Sequence, residues 1–166
     1  MTTQDNLSAA FAGESQANRK YLAFADKAEA DGFPQVAKLF RAAAAAETVH
    51  AHAHLRAMDG VKSTVENVQA AANGEAHEYR DMYPGFLQEA KDEGVKPAEI
   101  SFKFAMAVEE IHHGLYQEAL SAVKDGKDLP DRKVYVCPVC GNTVYDSVPK
   151  KCPVCGVPGS KFAEIG

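Results

Sequence analysis

The sequence predicts an all-α protein, a four-helix bundle with a small cysteine-knuckle domain at its C-terminal end. Three observations predict it. Helix punctuation divides residues 1–128 into four long segments with apolar residues at helical spacing. Those segments form two halves that repeat one another. All four cysteines lie in the last 30 residues, as two Cys-x-x-Cys pairs.

The first helix should stop at "ADGFP" (30–34), where Pro34 opens the second. "MDG" (58–60) stops the second. "STVE" (63–66) sets Ser63 and Glu66 at capping-box spacing and starts the third. "DEGVKP" (92–97) ends that helix, and a fourth runs from about Pro97 to "KDG" (124–126). Pro84 should kink or interrupt the third, because it lacks an N–H and its ring crowds the preceding turn. Residues 133–166 form the second domain.

Charge and composition exclude several functions. The net charge is −5, and nothing is basic enough to suggest nucleic-acid binding. Residues 1–132 carry 14 basic against 21 acidic side chains, and residues 133–166 carry 4 against 2. An acidic bundle and a basic tail suit docking of one on the other. No apolar run approaches the ~20 residues of a membrane span, and "MTTQDNLSAAF" shows no secretory leader. A cytoplasmic location is expected. In a reducing compartment, paired Cys-x-x-Cys motifs read as a metal site rather than as disulfides.

The repeat carries the chemistry. "AGESQANRKY" leads through "DGFP" to "AAAETVH", and "NGEAHEYRDM" leads through "EGVKP" to "AVEEIH". Glu14 maps to Glu75 at an offset of 61, whereas Glu47 and His50 map to Glu109 and His112 at 62. Residues i and i+3 on a helix lie ~60° apart around the axis and ~4.5 Å along it. Each Glu-x-x-His can therefore reach one metal ion, and Glu14 and Glu75 can bridge or cap the pair. Glu78, three residues after Glu75, has no counterpart, since Ala17 stands there in the first half. The resulting set holds five carboxylates and two imidazoles. Five ionised carboxylates in an alanine-rich core need cations to offset their burial, and this mixed donor set favours Fe or Mn over Ca or Mg.

The alternating histidines of "ETVHAHAH" are less informative than they look. His52 points some 200° away from His50 around the helix, and the repeat supplies no partner for His52, His54, His77 or His113. All four read as structural or solvated. In the tail, Cys137, Cys140, Cys152 and Cys155 sit in two Cys-x-x-Cys-Gly knuckles, which take Zn or a single Fe. Tyr135, Tyr145 and Phe162 would supply a miniature core.

"FAGESQANRKY", "AETVHAHAH", "GEAHEYRDMYPGF" and "VEEIHHGLY", followed by "YVCPVCG" and "KCPVCG", closely resemble the rubrerythrin family over essentially the whole chain. The resemblance implies a ferritin-like di-iron bundle (1–128) joined to a rubredoxin-like domain (133–166) with one iron on four cysteines. It further implies a peroxidase that reduces hydrogen peroxide to water and protects cells against oxidative stress. The implied di-iron ligands are Glu14, Glu47, His50, Glu75, Glu78, Glu109 and His112; Cys137, Cys140, Cys152 and Cys155 would hold the third iron. Zn or Mn are the expected substitutes. In the family one iron shifts between a carboxylate and a histidine with redox state, here Glu78 and His50. Tyr21 matches a tyrosine near the site that can hydrogen-bond a bridging carboxylate. Two ferrous ions hold the two electrons that one peroxide needs, and the four-cysteine iron would return them singly. No nicotinamide or flavin motif is present, so an external NAD(P)H-linked reductase or small electron carrier is expected to feed it.

Connectivity adds one expectation. Ferritin-like bundles join their second and third helices by a long crossover, and only a few residues separate "MDG" from "STVE". Helices 1–2 of one chain should therefore pack with helices 3–4 of another in a domain-swapped homodimer, which a tetramer could contain. The alternative is an up-down-up-down bundle within one chain. Two functional alternatives accompany the peroxidase: a ferroxidase or iron-storage protein, and an electron-transfer protein with a zinc-ribbon tail.

Overall fold

A computed structural model describes residues 2–166. The chain divides into two compact units, 1–62 and 63–166. Each is built around one helical hairpin.

The first unit consists of α1 (Thr3–Ala30) and α2 (Pro34–Ala57). A capping box starts α1, with Thr2 accepting from the Asp5 amide and Asp5 accepting from the Thr2 amide. The two helices approach closely because their buried apolar residues are alanines: Ala25, Ala28, Ala37, Ala44 and Ala51. Asn18 ties them together, its Nδ2 donating to the Ala44 carbonyl (2.7 Å) and to Thr48 Oγ1 (2.9 Å). Tyr21, Phe24 and Phe40 form an aromatic trio at one end of the hairpin.

The second unit repeats this plan. The expected capping box at Ser63 and Glu66 is present and starts α3 (Thr64–His77). A π-helical turn (Glu78–Met82) leads into α4 (Tyr83–Asp92), and α5 (Lys96–Lys124) returns antiparallel. The expected interruption by Pro84 is therefore a π turn, after which Pro84 sits in the first turn of α4, where its missing N–H costs little. Tyr83, Phe86 and Phe102 form the equivalent trio, each ring 62 positions after its counterpart. His113 Nδ1 donates to the Ala72 carbonyl (2.8 Å), which gives this histidine a structural role.

The tail of the second unit carries β1 (Val134–Val136), β2 (Thr143–Tyr145) and β3 (Ala163–Ile165), an antiparallel sheet in the order β2-β1-β3. The four cysteines lie at one end of it. Among the described residues, no helix is long and apolar enough to cross a membrane.

Candidate metal centres

In the first unit, α1 supplies Glu14, and α2 supplies Glu47 and His50. Their ligand atoms all lie within 4.8 Å of one another. His50 Nδ1 stands 2.9 Å from Glu47 Oε2 and 4.0 Å from Glu14 Oε1. The hydrogen bond with His50, assisted by Glu14, holds the Glu47 carboxyl below the usual carboxylate range.

The second unit reproduces this geometry. His112 Nδ1 stands 2.9 Å from Glu109 Oε2 and 3.9 Å from Glu75 Oε1, and the three ligand atoms again lie within 4.8 Å. Its electrostatics differ chiefly through burial. Burial, with Glu109 alongside, pushes the Glu75 carboxyl up to about 7. Burial and Glu109 also raise Glu78. Glu78 itself is not part of the three-residue cluster; it stands at the first position of the π turn. Tyr21 packs its ring on Phe24 and Phe40, at centroid distances of 6.4 and 6.1 Å. Its hydroxyl hydrogen-bonds none of the first unit's three metal-facing side chains among the described residues.

The π turn explains the change in repeat offset. The caps Thr2 and Ser63 stand 61 apart, as do Glu14 and Glu75; the turns Asp31–Phe33 and Glu93–Val95 stand 62 apart. The second half has therefore gained one residue between Glu75 and Glu93. A π turn widens the helix by one residue relative to an α turn, and the only one among the described residues lies in that interval. Beyond it, Tyr21 is matched by Tyr83. Burial raises the Tyr83 phenol, and Glu78, Glu109 and Glu75 add to the effect. Tyr83 thus lies within electrostatic reach of the second carboxylate cluster, a placement the sequence analysis missed. The signal was the new offset applied to "RKY" and "DMY".

The four cysteine Sγ atoms also lie within 4.8 Å of one another, with Cys137–Cys155 at 3.6 Å and Cys140–Cys152 at 3.5 Å. A tetrahedral ion with ~2.3 Å metal–sulfur bonds sets its sulfurs ~3.8 Å apart, so the thiols are already near ligand spacing. Both knuckles close in the same way. Gly141 and Gly156 donate to the carbonyls of Cys137 and Cys152 (both 2.9 Å) with φ of +84° and +78°, a region that disfavours side chains. Burial works to raise the Cys152 thiol, but the Cys155 and Val154 amides that bond it prevail and bring it down to about 6. Burial drives Cys140 upward. Four thiols this close cannot all ionise without a cation among them.

The donor sets fit iron. Two carboxylates and one imidazole per half-site suit a first-row transition metal, and the thiolate cage suits Fe or Zn. Helices that bring paired carboxylates and Glu-x-x-His motifs together are the scaffold of dinuclear carboxylate proteins, and the protein is of that class. The rubrerythrin family profile matches residues 5–120, and the rubredoxin-like domain of rubrerythrin matches 135–163. The chain belongs to the rubrerythrin family. It is 38% identical to rubrerythrin-2 of Clostridium acetobutylicum, covering 96% of this chain and 95% of that one. It is also 38% identical to nigerythrin of Nitratidesulfovibrio vulgaris, covering 97% and 85%. A structure of partially reduced nigerythrin is similar at a TM-score of 0.59 with 34% identity, over 99% of this chain and 87% of that one. A fully reduced, all-ferrous nigerythrin structure is similar to the same degree. The fold is accordingly ferritin-like in its helices and rubredoxin-like in its tail.

Proposed function

We propose that the protein is a hydrogen peroxide reductase of the oxidative-stress response, with a dinuclear carboxylate centre and a one-electron thiolate centre. The observation that carries this reading is the presence, in one compact unit, of a four-thiolate cage and a carboxylate–histidine half-site. An iron store would give the cage no role. Bound at these residues, two irons would supply the two electrons that peroxide reduction takes, and an iron on the four cysteines would pass electrons singly from an external reductase or small electron carrier.

The chain's own residues do the rest. Glu14, Glu47, Glu75 and Glu109 hold the cations and offset their charge. His50 and His112 add neutral donors. Glu78 brings a fifth carboxylate from the π turn, where a wider turn gives it room to approach or withdraw.

Each unit brings only three donors together, with Glu78 a fourth beside the second set, and the reading requires the sets in pairs. Glu14, Glu47 and His50 of one chain would complete Glu75, Glu78, Glu109 and His112 of a second, in a domain-swapped homodimer. Two facts support this. The linker between Ala57 and Thr64 spans about 25 Å at most, short of the ~36 Å length of the 24-residue α2. Each hairpin also keeps large apolar side chains in solvent: Leu39 is 69% exposed, Val49 64% and Ile100 54%. These side chains are available to pack against a second chain.

Stopped-flow mixing of the fully reduced protein with hydrogen peroxide tests the function. Rapid oxidation of both kinds of iron is expected. A reaction no faster than that with oxygen would count against the peroxidase.

A further inference from the structure

We propose that Thr143 is a positioning residue: its hydroxyl fixes which nitrogen of His112 faces the metal and makes the two half-sites inequivalent. The inference rests on the reading of the carboxylate clusters as a metal centre. It begins from a hydrogen-bond chain that crosses from α5 to the knuckle domain within the second unit. His112 Nε2 lies 2.9 Å from Thr143 Oγ1, and Thr143 Oγ1 lies 3.1 Å from the Gly141 carbonyl oxygen.

The direction of that chain follows from its end. A carbonyl can only accept, so the single hydroxyl proton of Thr143 goes to Gly141. The Thr143 oxygen then accepts from His112, and Nε2 must carry the imidazole proton. A proton shared with Glu109 Oε2, 2.9 Å from Nδ1, is the one a cation would replace; Nδ1, with Glu75 Oε1 3.9 Å away, is then the nitrogen left to bind the metal. Gly141 is itself the turn of the first knuckle, donating to the Cys137 carbonyl. His112 is thus held at both nitrogens, with its second anchor on the backbone of the thiolate cage.

His50 is different. Its Nδ1 faces Glu47 and Glu14 in nearly the same geometry, yet its Nε2 has no hydrogen-bond partner among the described residues of its own unit. Nothing there corresponds to Thr143, because the repeat ends before the knuckle domain begins. Partners that orient a ligating imidazole typically change metal affinity by roughly 10–100-fold. The His112 half-site is therefore the preorganised one, and the asymmetry comes from the tail, not from the repeated helices.

The test uses the full-length protein loaded with zinc in place of iron, and reads histidine ring nitrogen-15 signals together with metal affinity by chelator competition. His112 is expected to bind zinc through Nδ1 and to keep a slowly exchanging Nε2 proton, with His50 exchanging faster. Thr143→Val should speed His112 exchange and weaken the tighter site roughly 10–100-fold, while the four-thiolate absorption of the iron-loaded form stays unchanged. Thr143→Ser should restore both. Unchanged exchange and affinity in Thr143→Val would overturn the proposal. Zinc on Nε2 of His112 in the wild type would overturn it without any variant. A wild type that takes up no metal at the carboxylates would overturn both the proposal and the reading beneath it.

Discussion

Glu75 and Glu109, on facing helices of one hairpin, hold carboxylate oxygens within 4.8 Å of one another. Burial and the repulsion between two charges this close keep the proton on Glu75 well above the usual carboxylate range. Burial and this contact hold the Glu75 carboxyl at about 7. A cation takes the place of that proton.

The pH dependence follows. Because the folded-state pKa of Glu75 is raised above 4.5, the folded metal-free protein keeps a proton that the unfolded chain has released. Metal-free stability should fall as pH rises from about 4.5 to about 7. Metal affinity should rise over the same window, with a proton released on binding. Glu75→Gln should flatten the stability profile and lose metal at that half-site. Denaturant midpoints and metal titrations across pH check both slopes.

The aromatic trios test the structural repeat. Phe40 and Phe102 occupy equivalent places beside Tyr21 and Phe24 in one hairpin and beside Tyr83 and Phe86 in the other. Both rings are half-buried, so each change to alanine should cost about 2–3 kcal/mol, below the 3–5 of a fully buried ring. Phe40→Ala and Phe102→Ala should agree to within about 1 kcal/mol in chemical denaturation.

Glu78→Ala restores the residue type of Ala17 at the start of the π turn. It should leave stability within about 0.5 kcal/mol, as a substitution away from the packed core does. The reaction of the reduced protein with peroxide should slow at least ~10-fold if Glu78 acts on the metal. Thermal unfolding and stopped-flow absorbance separate the two effects.

Much of this was legible in the sequence because it is local or repeated. Ser63 and Glu66 announce a cap through their spacing alone, and Glu47–His50 recurs as Glu109–His112 on one turn of helix. The change of offset from 61 to 62 was also visible, but where the extra residue lies was not. A π turn keeps the apolar pattern on either side of it nearly intact, so only the backbone hydrogen bonds reveal it at Glu78–Met82. Tyr83 was missed for the same reason. The contact of His112 with Thr143 joins residues 31 positions apart in different elements, and no local pattern encodes it.

The central claim is that each dinuclear centre takes one half-site from each of two chains. Complementation tests it most directly. Glu47→Ala disables the first half-site and Glu109→Ala the second, and each variant alone should be inactive toward peroxide. In a domain-swapped heterodimer of the two, one centre carries both lesions and the other carries none. Co-expression or refolding of the mixture should therefore restore about a quarter of the wild-type activity and dinuclear metal content. A mixture as inactive as either variant alone, although native mass spectrometry finds the heterodimer, would contradict the claim.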